Sequence, residues 1–96
     1  MEPAARVRWV VETARGVLDG RLSADQAASS VQMQRDQLVG LLRNDRLNVT
    51  QRECDSVATT LRLLAEQVSD QASSLGDNED HLAIAEALGS LAQALR

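Results

Sequence analysis

The chain has to build its core without phenylalanine or tyrosine, and Trp9 is its one aromatic side chain. Strand-favouring residues are sparse, whereas Ala, Leu, Gln, Glu and Arg dominate, most of them strong helix formers. The palette left for a core is Leu, Val and Ala. That palette points to an all-α fold in which helices pack face to face. With 96 residues, a single helical domain over residues 1–96 is expected.

Apolar spacing divides the chain into four amphipathic segments, predicted as helices over 4–19, 24–46, 51–75 and 80–95. The first carries Val7, Val10, Val11, Ala14, Val17 and Leu18 on one stripe, and the second Ala24, Ala27, Val31, Leu38, Leu41 and Leu42. The third runs through Cys54, Val57, Ala58, Leu61, Leu64, Ala65, Val68, Ala72 and Leu75. In the fourth, Ile84, Leu88, Leu91 and Leu95 are flanked by Ala85, Ala87 and Ala92. Punctuation agrees with the spacing. Gly20 and Gly76 stand where helix C-caps want glycine. Ser23 with Gln26 and Thr50 with Glu53 read as capping boxes, the latter with a Val49–Cys54 staple. The acidic stretch from Asp77 to Asp80 complements the positive end of the fourth helix.

Short loops make neighbouring helices antiparallel, so the expected architecture is an antiparallel four-helix bundle, short-long-long-short, around a long central hairpin. The outer helices are about 24 Å long and the inner ones about 35 Å at 1.5 Å per residue. If each short helix covers the same end of the hairpin, the other end lacks cover within the chain. Leu41, Leu42, Leu47, Val49 and Val57 lie at that end. Each fully buried Leu or Val is worth about 1.5–3 kcal/mol, and a wet apolar patch usually marks an association surface. A homodimer completed by these residues is therefore expected. Trp9, Met33, Leu63 and Leu82 fall outside their stripes. Trp9 with Gly16 offers a second contact, since Trp is enriched at binding hot spots and a mid-helix glycine wants a reason.

Charge is uneven. Residues 1–53 hold eight Arg against seven acids, and residues 54–96 hold two Arg against seven acids. The second half should repel nucleic acid. All ten basic residues are Arg, a bias expected of a GC-rich, bacterial coding sequence. No apolar run approaches a transmembrane length and no apolar leader opens the chain, so a cytoplasmic location is expected.

Residues that could carry chemistry are few. Cys54 lies on an apolar stripe and is expected to pack as a small hydrophobe. His81 lacks identifiable partners and is expected on the surface. The acidic loop lacks the calcium-loop pattern, and there is no phosphate-cradling glycine loop and no HExxH motif. No enzyme activity, metal or cofactor is expected.

The stretch from Leu22-Ser23-Ala24-Asp25-Gln26-Ala27-Ala28 to Arg35-Asp36-Gln37-Leu38-Val39-Gly40-Leu41-Leu42 resembles the helix-turn-helix of excisionase-type DNA-binding domains. The resemblance implies that Arg35 and Gln37 open a recognition helix and that Arg43 or Arg46 touches phosphate. It covers about a quarter of the chain and departs from the family at Gln32-Met33-Gln34, where a glycine-containing turn belongs. The overlapping run Val11-Glu12-Thr13-Ala14-Arg15-Gly16-Val17-Leu18, followed by Leu22-Ser23-Ala24-Asp25-Gln26-Ala27, is similar to part of the ANTAR RNA-binding domain of bacterial regulators. What the two stretches share is a helix–cap–helix order, and neither is taken as membership. The expected function is a non-catalytic protein–protein interaction module, an adaptor, scaffold or regulatory subunit with a protein partner. A small dimeric DNA-binding regulator is the alternative.

Overall fold

The computed structural model describes residues 3–44 and 51–95. Within them the chain forms four helices, α1 (Pro3–Leu18), α2 (Ala24–Asn44), α3 (Gln51–Ser74) and α4 (Glu79–Ala94), and no strand. They pack into a body of 38 × 21 × 19 Å. No helix among the described residues is long and apolar enough to cross a membrane.

Local chemistry fixes the ends. Gly20 takes the left-handed conformation, φ 78°. This lets its N–H donate to the Val17 carbonyl (3.2 Å) and the Arg21 N–H donate to the Gly16 carbonyl (2.8 Å). That pair of hydrogen bonds closes a Schellman motif. The pattern repeats after α3, where Gly76 has φ 77° and the Asp77 N–H donates to the Ala72 carbonyl at 2.8 Å. At the start of α2 the Ser23 hydroxyl donates to the Asp25 carboxylate. That contact, and the Gln26 backbone N–H, hold the Asp25 carboxyl below the usual carboxylate range. In place of the expected Ser23–Gln26 box, the first-turn carboxylate of Asp25 takes both the Ser23 hydroxyl and the Gln26 N–H, a placement that also suits the helix dipole. Asn78 caps α4, its Oδ1 accepting from the His81 N–H at 3.1 Å.

Glycine substitutions should separate two roles. Gly20→Ala is expected to destabilise by about 1 kcal/mol or more, because a Cβ strains a left-handed backbone. Gly89, inside α4, would meet nothing within 4 Å if given a Cβ. Gly89→Ala should therefore gain up to about 1 kcal/mol from helix propensity. Paired thermal melts read both signs.

The core is formed by Val7, Val10, Ala14 and Val17 of α1, Ala27, Val31 and Leu38 of α2, and the inner faces of α3 and α4. Leu38, Leu61, Ile84, Leu88 and Leu91 are wholly buried. Packing departs from the expected central hairpin. α4 packs against both α3 and α2, and α1 packs against both α2 and α3. Among the described residues α2 and α3 share no comparable face. The cause lies in α4. Its buried residues Ile84, Ala87, Leu88, Leu91, Ala92 and Leu95 cover a broad sector of the helix. Alanines at the flanks let two long helices approach it at once.

Helix directions follow from contacts. The Arg6 guanidinium donates to Gln37 Oε1 at 2.6 Å, so the start of α1 lies far along α2. The Gln71 side-chain amide donates to the Leu18 carbonyl at 3.2 Å, so α1 and α3 end together. Ser90, Gln93 and Ala94 of α4 line a groove with Val39 and Leu42 of α2. The last turns of α4 thus reach toward the far end of α2.

Candidate interaction surface

That reach changes the expected uncovered tip. Leu42 and Val57 are half-buried and pack against the core, and Cys54, Ala58 and Leu61 are buried. Among the described tip residues Leu41 alone is exposed, at 41%. Both short helices do cover the same end, where Gln71 meets Leu18 and His81, but α4 lies along α2 as well as α3 and supplies cover toward the tip. Leu47 and Val49 lie outside the described residues.

Trp9 is 40% exposed on the outer side of α1. It rims a groove of about 290 Å³ between α1 and α2, with Thr13, Leu22, Gln26, Ala27 and Ser30. Thr13 is buried and its hydroxyl donates to the Trp9 carbonyl at 2.8 Å, one turn back along α1. Leu22 and Met33 are also exposed.

Gly16 has a different job from the one expected. A Cβ there would stand 2.6 Å from Leu22 Cδ1 and 2.9 Å from Leu22 Cγ. The notch is filled by the chain's own Leu22, folded back by the Schellman turn onto the helix it has just left. The hydrophobic contact that accompanies such a turn needs the missing side chain at Gly16. A partner is not required to explain this glycine.

The DNA-reading residues are arranged otherwise than the helix-turn-helix resemblance implies. α2 is continuous through Gln32-Met33-Gln34, so the turn that would separate two helices is absent. Helix formers occupy those positions, and one unbroken amphipathic face packs on α1 and α4. Arg35 Nε donates to Asp36 Oδ1 at 2.6 Å, and Gln37 accepts from Arg6. Arg43 lies in the last turn of α2. Arg46 lies outside the described residues.

His81 is the clearest departure. It is buried, not on the surface. Its Nδ1 lies 3.0 Å from Asn78 Oδ1 and its Nε2 lies 2.9 Å from Gln71 Oε1. Gln71 also donates to the Leu18 carbonyl, and Asn78 accepts from the His81 backbone N–H. One polar cluster therefore ties the ends of α1 and α3 to the start of α4. The Asn78–His81 contact is local, three residues apart, but Gln71 meets Leu18 and His81 from 53 and 10 residues away, and no local motif announces that. Cys54 is buried in the core, as its position on the stripe requires. Among the described residues no three of His, Cys, Asp and Glu gather closely enough to hold a metal ion.

Charge is segregated in the folded chain. From Leu63 to Leu95 there are six carboxylates and no Arg or Lys. From Pro3 to Leu22 there are four Arg against two carboxylates. Ion pairs on α1, α2 and the turn between them include Arg15–Glu12, Arg21–Asp19 and Arg35–Asp36. Comparison of the chain with protein-family models, with curated proteins and with solved structures found no match.

Proposed function

We propose that this chain is a non-catalytic protein–protein interaction module that acts by association, as a homodimer or as a component of a larger assembly. The observation that carries this reading is Trp9, the single aromatic residue, held 40% exposed at the rim of a groove. A tryptophan buries more area than any other side chain and wants cover in a core. Here the core is complete without it. Exposed Leu22 and Met33 extend the apolar surface, and rigid helices supply a platform that loses little entropy on binding. Leu41 is a second exposed apolar position, near the C-terminal end of α2. Adaptor, scaffold or regulatory work in the cytoplasm fits such a surface.

Light scattering across a wide concentration range tests the reading. The wild type is expected to exceed its monomer mass of 10.4 kDa as concentration rises. Trp9→Ala should move that rise to at least tenfold higher concentration, the loss expected of a hot-spot residue worth about 2 kcal/mol. A monomer at every concentration would reject self-association.

A further inference from the structure

The segregated charge suggests how two copies meet. Among the described residues α1 and α4 each pack against α2 and α3 and share no comparable packed face with each other. They therefore occupy opposite corners of the bundle. The outer side of α1 presents Trp9 with exposed Arg8 beside it, on the basic side of the molecule. On the outer side of α4, Leu82 is 41% exposed and Glu86 stands exposed one turn on, within the stretch that holds six carboxylates and no Arg or Lys.

Resting on the association reading above, we propose that the occupant of the Trp9 face is the Leu82 face of a second copy of this chain. Glu12, one turn on from Trp9, pairs with Arg15, so the Trp9 side is basic in balance, four Arg against two carboxylates from Pro3 to Leu22, whereas the Leu82 side belongs to a stretch of six carboxylates and no Arg or Lys. Two Trp9 faces, or two Leu82 faces, would juxtapose like charges, whereas the unlike pair is attractive. The contact is heterologous: one copy gives its α1 side and the other its α4 side. Because the two faces lie on opposite corners, each added copy leaves one face of each kind open. Assembly then runs head to tail instead of closing as a two-fold dimer.

Complementation between two single-face variants tests this. Trp9→Glu spoils only the α1 side and Leu82→Glu only the α4 side, with far-ultraviolet circular dichroism confirming that both fold. Each variant alone is expected to remain monomeric. An equimolar mixture should form a 1:1 pair of twice 10.4 kDa, because one intact face of each kind is restored. Wild-type mass should climb with concentration without stopping at a dimer, and added salt should weaken the contact. Should either variant fail to fold, Arg8→Glu and Glu86→Arg ask the same question. Each is expected to weaken assembly, and the chain carrying both changes should regain it. A wild type that stops at the dimer mass, with Leu82→Glu still dimeric, would overturn the head-to-tail contact while leaving self-association standing. A monomeric wild type would overturn both.

Discussion

Leu88→Ala is expected to destabilise the protein by about 2–5 kcal/mol, the range for truncating a large buried aliphatic side chain. Leu88 has no solvent exposure and lies on the helix that packs against both long helices. A cavity there loosens α4 from α2 and α3 together, and rigid helices collapse into it only in part. A domain of this size has about 5–15 kcal/mol in hand. At roughly 4–8 °C per kcal/mol, the melting temperature should fall by at least about 8 °C. Leu63→Ala on α3 is the control, because Leu63 is 55% exposed, lies outside the proposed contact, and a surface change costs about 0.5 kcal/mol. Urea unfolding of the two variants separates them. Equal, small effects would mean that α4 does not complete the core.

The second large effect belongs to the polar cluster at the other end of α4. His81→Ala removes the ring that stands between Asn78 and Gln71. Gln71 Oε1 loses that partner in a part-buried site, and such a deletion costs about 1–3 kcal/mol. Gln71→Ala should cost a similar amount, since Gln71 also holds the Leu18 carbonyl at the end of α1. The double variant should be less destabilised than the two single losses added together, because both act on one network. Unfolding by urea gives the cycle. Strict additivity would show that the three helix ends are not coupled through these side chains.

Helix boundaries were legible in the sequence because they depend on local chemistry. Glycines at 20 and 76 and the cap at Asn78 act within a few residues, and the helix ends flanked by described residues fall within one residue of those expected. The residues outside the stripes, Trp9, Met33, Leu63 and Leu82, are all exposed. Periodicity reports which side of a helix faces the core. It does not report which helix lies opposite. For that reason the insertion of α4 between α2 and α3 was not foreseen, and the tip containing Leu42 and Val57 looked barer than it is. The neighbour of Gly16 is hidden from periodicity for a related reason. The glycine's missing side chain is explained by Leu22, six residues on, across a turn whose fold-back depends on the conformation of Gly20. His81 depends on Gln71, ten residues away on another helix, a pairing that a one-dimensional pattern does not encode. The helix-turn-helix resemblance failed where one bend decides the fold: α2 passes straight through Gln34.

Trp9 is the only tryptophan and no tyrosine or phenylalanine is present, so the emission spectrum reports one residue at the centre of the proposed interaction surface. The measurement to make is the emission maximum and its quenching by acrylamide, from submicromolar to several hundred micromolar protein. Association through Trp9 should shift the maximum to shorter wavelength and reduce quenching as concentration rises, in step with the mass. A spectrum and quenching constant that stay unchanged while the mass rises would show that the copies meet elsewhere and would contradict the role given to Trp9.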